Sequence, residues 1–320
     1  MDDVSLISVV IPLYNEGSHL RELLSDLKSA LEQAGCRFEV VLVDDGSSDD
    51  TWTKIKDEAR MYPDLRAIRL SRNFGKELAL CAGLERARGN AVIVMDGDGQ
   101  HPPSLLALMI ETWRTSGADI IEAVKRRRGR ESLTSKFGAL TFYVILNKLS
   151  GFDLKGASDF KLIDRRVLDR WLTMRERNVF FRGMTAWMGF RTIQVPFEVG
   201  PRRAGKSGWS YLRRTQLALI GITTFSSFPL HLVTFAGVIF FFFAVVLGIQ
   251  TLYLKVTGRA FTGFATVILL ELIIGSLLMI SLGIIGEYLA RIYEEVKGRP
   301  RYIVAESIDL ADGAPPANHG

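Results

Sequence analysis

The sequence predicts an α/β domain built on a mostly parallel sheet, followed by two membrane-spanning helices. Three observations carry this reading. Apolar, β-branched runs alternate with helical-period segments through the first 124 residues, and such alternation implies parallel strands with helices on both faces. Three of those runs end in polar clusters, Asn15-Glu16, Asp44-Asp45 and Asp96–Asp98; sheets of this kind bind ligands beyond the carboxyl ends of their strands. From Thr215 to Leu254 there is no Asp, Glu, Lys or Arg, which suits hydrocarbon better than water.

The elements follow in order. Residues 5–13 read as a buried strand. Leu20, Leu23, Leu24, Leu27 and Leu31 recur at helical spacing, and Gly35 supplies a stop. Phe38–Val43 is a second strand, with a helix from about Asp50; Leu65–Leu70 is a third. Lys76–Arg88 is helical and ends at Gly89, before the fourth strand, Ala91–Met95. Pro102 and Pro103 open a helix that ends near Gly117, and Asp119–Val124 is the fifth strand. The polar clusters at the strand ends should converge in space. This domain is expected over residues 1–214. Within it, Ser132–Leu149 has one apolar helical face, which suits an interfacial helix or an ordinary amphipathic core helix.

The apolar run is divided by Pro229 into a juxtamembrane helix over residues 215–230 and a first span of about Leu232–Leu254. A polar turn, Lys255–Arg259, leads to a second span of about Phe261–Gly286, interrupted only by Glu271. Twenty-odd residues at about 1.5 Å each cover a hydrocarbon core of roughly 30 Å. The hairpin is assigned to residues 231–289 and a tail to 290–320, disordered after about Leu310. Glu271, an ionisable group at mid-bilayer, is read as a protonated or hydrogen-bonded carboxyl at a helix–helix contact. Arg202, Arg203, Lys206, Arg213, Arg214, Arg291, Lys297, Arg299 and Arg301 flank one side of the hairpin, against Lys255 and Arg259 on the other. The positive-inside rule then puts the domain and both termini in the cytoplasm, at the inner (plasma) membrane.

The N-terminus has acids where a cleaved signal needs bases, and its apolar run is broken by Pro12 and Asn15. Cys36 and Cys81 lack metal or redox spacing and read as reduced core thiols. The net charge of +5 suits an anionic partner such as a membrane surface or a phosphate; no nucleic-acid partner is expected.

The sharpest chemical signal is Asp96-Gly97-Asp98 just past a buried strand. Paired carboxylates are hard oxygen ligands, suited to Mg²⁺ or Mn²⁺ with positions left open for phosphate oxygens. Gln100 adds a neutral oxygen. The same residues also suit a polar turn with helix-capping acids. Asp44-Asp45 reads either as helix capping or as acceptors for a ribose or base edge. The run Lys125–Arg128 with Arg130 is a solvated basic face near anionic lipid or a specific phosphate site. His101 has no partner at metal-ligand spacing.

VVIPLYNE, VDDGSSDDT, LSRNFGKELAL, MDGDGQHPP and SDFKLIDRRVL, in this order and spacing, resemble the GT-A glycosyltransferases of family 2. The segment GIIGEYLARIYEEVKGRPRY is similar to their polyprenyl phosphate branch, which includes the bactoprenol glucosyltransferase and dolichol phosphate mannose synthase types. The resemblance covers residues 5 to about 305. It implies a GT-A domain in which Pro12, Tyr14, Glu16 and Asp44 hold the nucleoside. Asp96, Asp98 and Gln100 hold the metal and diphosphate, and Asp159 stands beside the reacting sugar. Arg202 and Lys206 close on phosphates, and Lys125 and Arg128 align with lipid-phosphate arginines. The family usually reads D-A-D-L-Q where this chain has D-G-D-G-Q. Lys125 stands where Arg is common, with loss of a bidentate contact. Gly208 and Trp209 replace a frequent Lys-Tyr pair.

The resemblance thus implies inverting transfer of one sugar from a nucleotide sugar to undecaprenyl or another polyprenyl phosphate. UDP-glucose is favoured through SRNFGKE, with GDP-mannose and UDP-N-acetylglucosamine as alternatives. Relatives suggest a homotetramer. Two rivals stay open: a processive polysaccharide synthase, although Val167 stands where its Q-x-x-R-W motif needs Gln, and a non-catalytic membrane anchor that binds a nucleotide sugar.

Overall fold

The computed structural model describes residues 5–97, 102, 104–125, 158–174, 176–177, 179–197, 228–258 and 263–309. They form two units, one holding the sheet and its helices and the other a pair of long helices. In chain order the first unit contains β1 (Leu6–Leu13), α1 (Leu20–Gln33), β2 (Arg37–Asp44), α2 (Thr51–Met61), β3 (Leu65–Leu70), α3 (Lys76–Leu84) and β4 (Ala91–Val94). It continues with α4 (Ser104–Ser116), β5 (Ile120–Lys125), β6 (Lys161–Asp164), α5 (Arg165–Thr173), α6 (Phe181–Trp187) and β7 (Thr192–Phe197). The second unit holds α7 (Phe228–Val256) and α8 (Phe264–Val296), after which β8 (Val304–Ile308) rejoins the first.

Eight strands make one sheet in the order β7-β5-β6-β4-β1-β2-β3-β8. β1 pairs in parallel with β2 and β4, β2 with β3, and β5 with β7; β6 runs antiparallel to β4 and β5, and β8 antiparallel to β3. The sheet is mostly parallel, as the alternating pattern predicts. The central strands are covered on both faces, so they need near-continuous apolar runs. Ile7, Val9, Val10 and Ile11 of β1 and Val41, Leu42 and Val43 of β2 are all fully buried.

One face carries the larger core, where Leu20, Leu24, Leu27 and Leu31 of α1 and Met109 and Ile110 of α4 meet Ile7, Val9 and Ile93. The other face carries α3, which lies close because Gly83 has no side chain. A Cβ there would stand 2.3 Å from Val10 Cγ1 and 3.0 Å from Val43 Cγ2. Cys81 is buried in this helix, and burial pushes its thiol up to about 12, which suits the inert core thiol expected of it.

The structure adds elements the sequence reading did not name. β6, α5, α6 and β7 follow the fifth strand, and β8 forms inside the segment read as a tail. β8 is held by more than its ladder: Arg69 donates to Glu306, Arg66 pairs with Asp309, and Tyr302 donates to Glu85. The helix α8 also continues ten residues past Gly286, because Glu287–Val296 keeps a helical sequence after the apolar run ends. α7 and α8 contain stretches long and apolar enough to cross a membrane, Val233–Val256 and Leu270–Val296, with mean hydropathy 2.3 and 2.0. Pro229 falls in the first turn of α7, where its missing N–H costs nothing. Glu271 lies on the exposed surface of α8.

The close approach at Gly83 is testable. Gly83→Ala gains about 1 kcal/mol of helix propensity but overfills a site bounded by stiff, fully buried valines, where overpacking costs about 1–3 kcal/mol. We expect a lower thermal midpoint for the variant, partly restored by adding Val10→Ala. An unchanged midpoint in the single variant would mean that Val10 has room to turn away.

Candidate active site

The carboxyl ends of β1, β2 and β4 converge, as their polar ends predict. Asp45 N–H donates to the Leu13 carbonyl and Met95 N–H to that of Val10. Asn15, with φ of 56°, turns the chain after β1. Its N–H donates to Ser47 Oγ, its side-chain oxygen accepts from the Ser48 N–H, and the Glu16 N–H donates to Thr51 Oγ1. The third loop joins through His19: its Nε2 is 2.7 Å from the Gly97 carbonyl and 3.4 Å from Glu16 Oε2. This buried histidine ties the Asp96-Gly97 turn to the loop after β1, and the sequence reading passed over it.

Among the residues expected to hold the nucleoside, Pro12 lies one residue before the end of β1, paired with Val43, Tyr14 is exposed and Glu16 is partly exposed. Asp44 is different. It is fully buried, one oxygen accepts from the Ser47 N–H at 3.0 Å, and the other faces Arg69 Nε at 3.3 Å. One carboxylate oxygen is thus committed to its own loop, and the other makes no hydrogen bond among the described residues. Asp45 clamps the next loop by accepting from the N–H groups of Phe74 and Gly75 at 2.7 and 2.9 Å. Gly46 makes that meeting possible. Its φ is +67°, and a Cβ would lie 2.4 Å from the Arg72 backbone, so only glycine fits.

Asp45 thereby sets the start of α3, and α3 presents Lys76 to the site. Lys76 Nζ is 2.5 Å from Asp96 Oδ1 and 2.6 Å from Asp159 Oδ2. Asp159 lies just before β6 and is nearly buried. It also accepts from Arg182 of α6, Nε at 2.5 Å and Nη2 at 2.7 Å. Burial alone would raise the Asp159 carboxyl, but the hydrogen-bonded Arg182 and the Lys76 ammonium outweigh it and hold it well below the usual carboxylate range. Burial likewise pulls Lys76 down, and Asp96 and Asp159 together hold it above its ordinary value. Asp96 and Asp159, 63 positions apart in sequence, are thus joined through a single ammonium.

Glu77, next to Lys76, accepts from the Phe181 N–H at 2.9 Å. That bond fixes the start of α6 and with it the position of Arg182. Burial first, and then the neighbouring Asp159 charge, raise Glu77 to about 7. Lys161 pairs with Glu122 at 3.0 Å and donates to Thr185 Oγ1 at 2.8 Å behind Asp159.

Asp98, Gln100, Arg128, Arg202 and Lys206, and the segment Ser132–Leu149, lie outside the described residues; of Lys125 only the strand backbone, opposite Phe197, is described. Among the described residues no three His, Cys, Asp or Glu side chains gather as a metal cradle. Asp96 still fits its expected share of one, because its side chain is partly exposed and its buried Oδ1 already faces a cation. The residues missed by sequence reading are His19, Glu77, Lys76 and Arg182. Lys76 and Glu77 stood inside the FGKE motif, but nothing in it says which carboxylate or backbone group they meet.

The model of the family described as Glycosyl transferase family 2 matches residues 8–172. The chain is 36% identical over 305 residues to the glycosyltransferase YkcC of Bacillus subtilis, covering 95% of this chain and 94% of that one. It is 35% identical over 306 residues to the SfII prophage-derived bactoprenol glucosyl transferase of Shigella flexneri, covering 94% and 98%. Among solved structures, the mannosyltransferase PcManGT from Pyrobaculum calidifontis, in complex with GDP-Man and Mn²⁺, shares the fold with a TM-score of 0.50 at 23% identity. That likeness covers 68% of this chain and 63%, less than two thirds, of the other.

The raised Glu77 has a sign that can be measured. Between pH 4.5, its ordinary value, and about 7 the folded state binds the extra proton. Stability from this group is therefore full below 4.5, is lost as pH rises to about 7, and is flat above. The fall is on the order of 3 kcal/mol. Glu77→Gln keeps an acceptor for Phe181 and removes the titration. We expect the wild-type midpoint to fall relative to the variant across this window. Parallel stability profiles would overturn the assignment.

Proposed function

Because the chain belongs to glycosyl transferase family 2, we propose that it moves one glucose from UDP-glucose onto a polyprenyl phosphate, such as undecaprenyl phosphate, at the cytoplasmic face of the membrane. One juxtaposition carries the reading. Asp96 at the end of β4 and Asp159 before β6 meet across Lys76 at the carboxyl edge of the sheet, where a donor diphosphate and its sugar have to lie side by side. The acceptor class is supported by the near full-length similarity to a bactoprenol glucosyl transferase and by two helices apolar enough to cross a membrane.

In this mechanism Pro12, Tyr14 and Glu16 receive the nucleoside, and Asp44 shapes the loop beneath it. Asp96, with Asp98 and Gln100, would hold Mg²⁺ or Mn²⁺, which supplies positive charge against the leaving diphosphate. Arg202 and Lys206 close over that diphosphate, and Lys125 and Arg128 hold the acceptor phosphate. The phosphate oxygen attacks the anomeric carbon from the face opposite the leaving group, so the configuration inverts.

Asp159 is not well suited to be a base. A carboxylate held low by two cations has little affinity for a proton. A phosphate monoester, with its second ionisation near pH 6, is already largely anionic at neutral pH. Asp159 instead orients the sugar and stabilises the positive charge that builds on the anomeric carbon.

The test is transfer from radiolabelled UDP-glucose to undecaprenyl phosphate by the full-length protein in detergent. GDP-mannose and UDP-N-acetylglucosamine serve as competing donors. We expect a lipid-linked monosaccharide, abolished by excess EDTA and by Asp98→Ala. Polymer would favour a processive synthase, and no product with any donor a non-catalytic anchor. Asp159→Asn should lower the rate about 10²-fold or more, and raising the pH should not restore it. Recovery at high pH would mean that Asp159 takes a proton after all.

The strand β8 supports the two-span topology. It pairs with β3 in the sheet, as suits a hairpin that returns the chain after α8 to the side where β1–β7 lie. Reporter fusions at Gly258 and at the C-terminus should therefore lie in opposite compartments, the latter cytoplasmic. Reporters in the same compartment would exclude a two-span hairpin.

A further inference from the structure

We propose that Lys76 is a resident cation of the donor site, which exchanges with the metal ion at Asp96 and passes to the donor's diphosphate. The inference rests on the reading of Asp96 as a metal and donor residue. Its starting point is that Lys76 Nζ lies within hydrogen-bond distance of both Asp96 and Asp159. These two carboxylates converge from separate elements and need a countercharge. Asp159 has a second one in Arg182. Asp96 has Lys76.

A divalent ion on Asp96 changes that balance. A metal at roughly 2.0–2.1 Å from either Asp96 oxygen sets a divalent charge close to the ammonium that lies 2.5 Å from Oδ1, and the like-charge repulsion is strong. Lys76 has to leave Asp96. Its means of leaving is built in: the side chain is over a third exposed, and a lysine has a flexible four-carbon stem with a charge that acts as a point and needs no fixed plane. Its root is fixed, because Asp45 clamps Phe74 and Gly75 immediately before it. The swing is therefore confined to the cleft between Asp96 and Asp159. The diphosphate that arrives with the metal brings new anionic oxygens to that cleft, and Lys76 meets the leaving group where its charge develops. Arg182 is less free to take this part, because two of its three guanidinium nitrogens, Nε and Nη2, are committed to Asp159.

The exchange predicts opposite effects on two ligands. In full-length protein in detergent, Mn²⁺ binding is measured by electron paramagnetic resonance, first alone and then with UDP. Lys76→Met should bind Mn²⁺ alone about tenfold more tightly, since the competing cation is gone. It should bind UDP in the presence of Mn²⁺ about tenfold more weakly. Lys76→Arg keeps the charge in a fork that grips carboxylates, so Mn²⁺ alone should bind more weakly than to the wild type. Thermal unfolding identifies a misfolded variant, and the Lys76→Arg arm then decides alone. Loss of both ligands from a folded Lys76→Met variant would make Lys76 a structural support and overturn the exchange; so would no change in either. If the wild type itself binds neither Mn²⁺ nor UDP, the donor-site reading fails with it.

Discussion

A carboxylate that is almost wholly buried must keep a cation within reach or give up its charge, and Asp159 keeps two. Much of the site's construction follows from that. Lys76 has to come from the start of α3 and Arg182 from the start of α6, so both helices must begin beside the same strand end. Glu77 secures the second helix by accepting the Phe181 N–H, and Asp45 secures the first through Phe74 and Gly75. Neither clamp touches Asp159, yet each fixes where one of its cations can stand.

The opposite edge of the sheet solves the same problem differently. Glu39 is as buried as Asp159, at 5% exposure. It is satisfied by Ser8, the Arg88 N–H and Arg66, and Arg66 is itself only 14% exposed. The cations on Asp159 are exposed by 37% and 39%. One edge is a closed lock. The other presents its charges to solvent and to whatever enters the cleft. The molecule therefore has a fixed pole and a working pole, set by which partners of a buried acid can still reach water.

The first five strands and their helices were legible because burial on both faces forces long apolar runs, and Gly and polar residues punctuate them. β6, β7 and α6 were not: they are four to seven residues long, and the two strands are placed by pairing with strands about 40 to 70 positions away. β8 was hidden for a related reason, since Glu306 at its centre reads as a solvated tail until Arg69 stands opposite. The converging loops were legible from strand polarity alone, whereas Asp159 entered only through family resemblance. Its partners carry no local signature. Lys76 and Arg182 lie 83 and 23 positions from it, and only the three-dimensional path shows that they share it.

That path has a consequence for how the protein is made. The strand that closes the sheet, Val304–Ile308, is synthesised after both long apolar helices. Until it emerges, β3 is an open edge, and open edges invite pairing with other chains. β3 carries Arg66 and Arg69 along that edge, charges that discourage such pairing. The same two arginines then receive Asp309 and Glu306. The pair of long apolar helices is thus an insertion in the chain path of the sheet, and completion of the sheet waits on completion of that pair. Newly made protein released before residue 304 would carry every strand from β1 to β7 and still lack its seal.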